Sequence, residues 1–413
     1  MVEEITVTEN RITAFAGVAG SGKNLIARAL SGVDNRNGLR VSLAAETLSP
    51  RTPSDAARAG IAALYPRPLV FAPLTVLENL GVTRPGPVSR LQKEILPAAR
   101  ELWARLSDGF FPADCPGGKL APADARRVEI IRALLNRPKL LVLNEALGAF
   151  TAAEKQKLFT LLREQKNLTV LFTTADPWEA ALADTCRILH DGNLSAPEKM
   201  TAEAVRTALY GAEDAGKEPL KNGKTVLEIL GMQLLPDSPD ISLTLRQGEI
   251  LGLTGLEGCG AREFALALAG RLPVHKGIMG INGKNLRLRR AGAGARARAG
   301  MAVYDGSLPD ADGSALRKAA ARADLAVLLV CNLEISGETS AAAALREKLP
   351  ELTAAGKAVI IASGNAEELL RYGNTLAVFH QGAPCPARAV EKWTLDEVRL
   401  FREKGKAGVM SLL

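Results

Sequence analysis

The sequence predicts an α/β protein made of two related domains in tandem, and three observations carry that reading. Short β-prone apolar runs alternate with helical patterns, as in βαβ units built around a mostly parallel sheet. A glycine-rich segment, GVAGSGKNLIARALSG at 17–32, returns as GLEGCGAREFALALAG at 255–270 with seven of sixteen positions identical. A second landmark, LHDGN at 189–193, returns as FHQGA at 379–383. The interval between the two landmarks is about 48 residues shorter in the second copy, so the second domain is expected to lack an internal piece.

In chain order, ITAFAG (12–17) reads as a strand, and the glycine loop after it opens a helix over Asn24–Leu30. KLLVLNE (139–145) and LTVLFTTA (168–175) read as further strands of the first domain. The second domain repeats the scheme with strands at 249–255, 325–331 and 358–363. The first domain is expected over residues 1–212 and the second over 225–413. Between them EDAGKEPLKNGK (213–224), polar and charged, reads as a short linker.

A chain of 413 residues with 47% hydrophobic and 23% charged side chains has ordinary globular composition. That excludes a disordered, collagen-like or coiled-coil architecture. A net charge of +7 permits contact with an anionic surface without demanding nucleic acid. The five cysteines stand far apart and there are only three histidines, so neither a disulfide framework nor structural zinc is expected, and a reducing cytosolic compartment fits. The opening MVEEITVTEN has no basic or apolar leader pattern, so no signal peptide is expected. The longest apolar run, Leu325–Cys331, is too short to span a bilayer. The stretch 285–300 carries five arginines, which reads either as an anionic-lipid or RNA contact or as a solvated polar segment. No aromatic residue interleaves it, which argues against base stacking.

Gly17, Gly20, Ser21, Gly22, Lys23 and Asn24 lie between a strand and a helix, the context of a phosphate-binding loop. Glycines let backbone N–H groups converge on phosphate oxygens, and the helix N-terminus adds partial positive charge. Lys23 would reach the β- and γ-phosphates. Asn24 stands where a magnesium-binding hydroxyl is usual. The competing reading is a tight turn needed only for strand–helix packing. In the second copy Ala261 replaces the lysine, Arg262 follows it, and Glu257 puts a negative charge in the loop, which favours a structural turn.

Taken together, several segments resemble the ATP-binding subunits of ABC importers, of the tandem sugar or nucleoside type. GIAALYPRPLVFAPLTVLENL (60–80) is similar to that family's Q-loop segment. ARRVEIIRALLNRPKLLVLNEALGAF (125–150) resembles the helix after the signature motif and the Walker B strand. RQGEILGLTGLEGCGAREFALALAG (246–270) resembles the opening of the second ATPase domain. The resemblance implies two P-loop ABC-type nucleotide-binding domains in tandem, the second lacking most of its helical subdomain. It also implies ATP as ligand, membrane permease subunits and a solute-binding protein as partners, and a cytoplasmic position peripheral to the membrane, without nucleic acid.

The departures from the family pattern are extensive. The Q-loop glutamine aligns with Pro66, and the signature with Leu120-Ala121-Pro122-Ala123-Asp124. Pro116-Gly117-Gly118-Lys119 looks like a signature but lies out of register. The Walker B aspartate becomes Asn144, the catalytic glutamate survives as Glu145, and the switch histidine aligns with Ala175. No aromatic residue precedes position 12 to stack on adenine. In the second domain Cys331-Asn332 replaces Asp-Glu, and 302–323 holds no signature. Asn24 and Asn144 would hold Mg2+ only weakly, and Glu145 is the one candidate catalytic residue, with a solvated or helix-capping carboxylate as its alternative reading. Family sites pair the loop of one domain with the signature of the other, so both are expected to be incomplete and hydrolysis weak or absent.

Overall fold

The computed structural model describes the chain except residues 1–3, 36–38, 44–45, 84–89, 91–92, 212–222, 309, 311 and 410–413, and the side chains of 406–409. Most of the expected linker, up to residue 222, lies outside the described residues. The chain forms two compact units, Met1–Gly211 and Ala212–Leu413.

The first unit contains β1 (Glu4–Val7), β2 (Ile12–Ala16), β3 (Arg40–Leu43), β4 (Glu46–Leu48), β5 (Ile61–Leu64), β6 (Leu140–Asn144), β7 (Thr169–Thr174), β8 (Thr185–His190) and β9 (Asn193–Leu194). Its main sheet runs β5-β6-β7-β2-β8-β9, parallel except for the closing β8–β9 pair. Every residue of β2, β6 and β7 is buried. These strands lie inside the sheet with both faces covered, so they read as unbroken apolar runs rather than alternating ones. One face packs on the helix Lys23–Leu30 through Phe15, Ile26 and Leu30. The other packs on the helices filling residues 65–139, Val76–Gly81, Leu96–Leu106 and Pro122–Leu135, through Leu80, Trp103 and Ile131. A smaller sheet joins β1, β3 and β4, with β1 parallel to β3.

The second unit contains β10 (Thr225–Gln233), β11 (Ile241–Arg246), β12 (Ile250–Gly255), β13 (Lys276–Ile281), β14 (Lys284–Arg287), β15 (Met301–Asp305), β16 (Val327–Cys331), β17 (Ala358–Ala362), β18 (Thr375–His380), β19 (Ala383–Pro384) and β20 (Arg388–Ala389). Its main sheet runs β15-β16-β17-β12-β18-β19, with β20 also on β18, and so repeats the strand order of the first unit. Among the described residues, the helices Val76–Gly81, Leu96–Leu106 and Pro122–Leu135 lie between the edge strand and the next in the first unit, whereas Ser314–Ala320 is the helix described within 306–326. The shortening read from the sequence falls at this point. The second sheet of this unit, β11-β10-β13-β14, is antiparallel throughout.

Candidate functional site

The loop Gly17–Lys23 leaves the carboxyl end of central strand β2 and enters the helix Lys23–Leu30. Gly20 and Gly22 have φ of 89° and 104°, values that favour glycine. Gly17 is required for a different reason: a Cβ there would lie 2.5 Å from Ser21 Oγ and 2.7 Å from Leu189 O. The helix begins with N–H groups that have no partner one turn back, the usual anion-facing arrangement.

Lys23 is 2% exposed and turned into its own loop. Its ammonium donates to Gly17 O at 2.5 Å and Val18 O at 2.8 Å and lies 3.3 Å from Glu145 Oε1. Glu145 follows β6 in a left-handed conformation (φ 47°), with its N–H donating to Thr173 O and Oγ1. It is therefore neither a freely solvated carboxylate nor a helix cap, the alternative role read from the sequence; it is the counter-ion of Lys23. Asn144, 2% exposed, accepts from Thr173 Oγ1 at 2.8 Å through Oδ1. Asn24 is exposed at the start of the helix. Ser21 Oγ is buried without a hydrogen-bond partner.

The fold thus brings Lys23, Glu145 and the Gly17–Val18 carbonyls together, while the two amide candidates for metal stand apart in environment. Magnesium prefers six oxygens with at least one carboxylate among them. Here the one buried amide oxygen is engaged by Thr173, and the one carboxylate is engaged by an ammonium. This donor set does not fit a magnesium ion held by the protein. The loop keeps the backbone of a phosphate cradle, with left-handed Gly20 and Gly22 ahead of the helix, while the Lys23 ammonium is turned onto the Gly17 and Val18 carbonyls.

Around this loop the aligned motif positions are occupied by structural contacts. Arg126, buried in the helix Pro122–Leu135, donates to Tyr65 O at 2.7 Å and Pro66 O at 2.6 Å and pairs with buried Glu129, whose Oε1 accepts from Leu69 N. Burial pushes the Glu129 carboxyl up, against the pull of Arg126. Asp124 is ion-paired with Arg127, which also pairs with Glu154, so its charge is answered within its own unit. Gly117 packs so tightly under Phe71 that a Cβ would meet Phe71 O at 2.7 Å. The glycine pair in Pro116–Lys119 is therefore a packing feature. Ala175 O accepts from Tyr210 OH at 2.6 Å. The Arg126 clamp and the Tyr210 tie have no sequence signature, because each joins residues far apart in the chain.

The second loop has the same turn, with Gly258 and Gly260 at φ of 82° and 101°. A Cβ at Gly255 would collide with Cys259 Sγ and lie 2.8 Å from Phe379 O. Arg262 is exposed. The guanidinium of Arg402, from the helix Leu395–Val409, bonds Thr254 Oγ1 and Gly364 O across the ends of β12 and β17. Asn332, in the left-handed conformation of its counterpart Glu145 (φ 55°), donates to Asp305 Oδ1 at 2.8 Å. Burial opposes the Asp305 charge, but hydrogen bonds from Asn332 and Ser307, with Arg271 beside them, hold its carboxyl down at about 2.

Comparison with known proteins finds the following likenesses. The family model described as ABC transporter matches residues 3–148. The ribose import ATP-binding protein RbsA of Rhodococcus jostii is 31% identical over 304 residues, covering 70% of this chain and 59% of that protein. Ribose import ATP-binding protein RbsA 1 of Mesorhizobium japonicum is 30% identical over 311 residues, covering 71% and 59%. This chain therefore spans about 59% of the length of these relatives. Among solved structures, an ATP-binding cassette of an ABC transporter in its ADP conformation aligns with a TM-score of 0.41 and 22% identity, over 50% of this chain and 86% of that one. Among the described residues no helix is long and apolar enough to cross a membrane. A glycine loop on the central strand, a Walker B-like strand beside it and the family match over 3–148 identify an ABC transporter ATP-binding domain within the first unit.

Proposed function

We propose that this chain is the ATP-binding subunit of a sugar-type ABC importer, peripheral to the inner face of the membrane, in which nucleotide binding at Lys23 persists and hydrolysis is weak or absent. The reading rests first on one observation: the Lys23 ammonium sits among Gly17 O, Val18 O and Glu145, while Asn144 stands in the place of the metal-binding aspartate. Glu145, ion-paired to that ammonium, is poorly placed to orient water. The likeness to ribose import ATP-binding proteins supports sugar import and hence permease subunits, with a solute-binding protein, as partners. The second unit, lacking the lysine and with Arg402 at its strand ends, is assigned a structural role.

A non-catalytic scaffold on a permease or on an intact ATPase is the second reading. It is favoured by Leu69 and Phe71, which are exposed yet rigidly held: Arg132 and Glu129 bind the backbone of Leu69, and Asn79 binds that of Phe71. Such a surface serves docking without chemistry. Calorimetric titration with ATP, with and without Mg2+, separates the two. The first reading expects binding that Mg2+ barely strengthens and that falls about a hundredfold in Lys23→Ala. No binding to the wild-type chain selects the scaffold. Rapid Mg2+-dependent turnover abolished by Lys23→Ala refutes both.

A further inference from the structure

Between Glu263 and Asp305 the chain has no acidic residue and eight Lys and Arg, more than its whole net charge of +7. Three of these cations are spoken for. Arg271 pairs with Asp305, Lys276 with Asp240 at 3.1 Å, and Arg296 is buried against the carbonyls of Ala267 and Leu268. The burial of Arg296 departs from the solvated run read from the sequence. The other five, Lys284, Arg287, Arg289, Arg290 and Arg298, are exposed and within 4 Å of no carboxylate among the described residues. They occupy β14, the turn after it and the short helix Ala293–Arg298.

The register of the antiparallel sheet gives one of these cations, Arg287, a definite face; Lys284, opposite buried Ile281, falls on the other. Ile278 on β13 lies opposite Arg287 on β14 and, on its other side, opposite Leu230 on β10. Directly opposed residues share a face, so Leu230, Ile278 and Arg287 form one row. Leu230 is 47% and Ile278 42% exposed, on a sheet whose alternate residues Leu227, Ile229, Met279 and Ile281 are buried. Arginines beside two unburied aliphatic side chains suit a surface that is both anionic and partly apolar.

We propose that this face of the second unit docks on an anionic lipid bilayer, with the exposed arginines on lipid phosphates and Leu230 and Ile278 at the headgroup boundary. Guanidinium groups bind phosphate oxygens in pairs, and aliphatic side chains beside them gain by leaving water. A nucleic acid is disfavoured because the aromatic residues of the stretch, Phe264 and Tyr304, are buried and have no free ring for a base.

Co-flotation of the full chain with vesicles of phosphatidylcholine, alone or mixed with phosphatidylglycerol, tests this. Binding is expected to the mixed vesicles only, weakening steeply with salt. It should fall about a hundredfold in the triple variant R287E/R289E/R290E, at roughly fivefold or more per cation, and several-fold in L230S/I278S. If circular dichroism shows the triple variant to be unfolded, the single variant R287E carries the same expectation with a smaller loss. Equal binding to neutral vesicles, no binding to either kind, or unchanged binding in the charge variants overturns the proposal. So does tighter binding to a single-stranded RNA oligonucleotide than to the mixed vesicles.

Discussion

The glycine loops of the two units share a backbone and differ in what fills it. Each turns through two left-handed glycines, and in each the first glycine is wedged against the side chain four residues on and a carbonyl of the neighbouring strand. In the first unit the space within the turn holds an ammonium balanced by Glu145. In the second the lysine is Ala261, and the nearby strand ends are bridged by a guanidinium brought from a distant helix. Loop shape is therefore maintained by packing, and cannot by itself be taken as a sign of phosphate chemistry. What distinguishes the units is the charge and polarity at the ends of β6 and β16.

The largest expected contrast comes from putting an aspartate back at those two strand ends. Asn144 already accepts from Thr173 Oγ1, and Asn144→Asp retains that bond while adding the missing charge near Lys23. It should leave the melting temperature nearly unchanged and raise Mg2+-dependent ATP affinity about tenfold, read by titration. Cys331 is buried, and burial together with Asp305 pushes its thiol up to about 12. Cys331→Asp would bury a second carboxylate there and should cost about 3 kcal/mol in denaturant unfolding. Similar stability losses at both sites would break the distinction between the units.

A smaller effect should be common to both. Gly17→Ala and Gly255→Ala each force a Cβ against a backbone carbonyl, Leu189 O at 2.7 Å and Phe379 O at 2.8 Å. Each should destabilise its unit by about 2 kcal/mol. Adding Cys259→Ala to Gly255→Ala should recover only part of the loss, since the carbonyl remains. Loss of nucleotide binding in Gly17→Ala without any stability change would show that ligand contact, not packing, demands the glycine.

The smallest effect belongs to the second unit alone. Glu368, fully buried, accepts from Ser336 N, and burial with nearby Glu334 pushes its carboxyl up to about 8. A carboxyl whose pKa is higher folded than unfolded favours the folded state most when protonated. The unit should therefore lose stability as pH rises from about 4.5 to about 8. Glu368→Gln should flatten that dependence and raise the melting temperature at pH 8 by ~3 °C, followed by calorimetry.

Much of the fold was legible because central parallel strands are apolar along their whole length and the glycine loops punctuate them. The strands read at 12–17, 139–145 and 168–175 differ from β2, β6 and β7 by one residue at their ends. The helix read at Asn24–Leu30 begins one residue earlier, at Lys23. Less was legible where long-range contacts decide. The parallel pairing of β1 with β3 follows from no local pattern; in the second unit β10 lies between the corresponding strands. That Lys23 would pair with Glu145, rather than point outward, depends on the left-handed turn after Asn144. Arg126 looked like any charged residue on a helix, and only the fold shows that it holds the carbonyls of Tyr65 and Pro66.

Tyr210 is the final residue of its helix, 35 positions beyond the carbonyl it holds. A version of the first unit trimmed to its sheet, ending soon after β9, would keep every strand and still untie the turn after β7. The practical boundary for expressing that unit by itself is thus set by one phenol, and a shortened design should run past it.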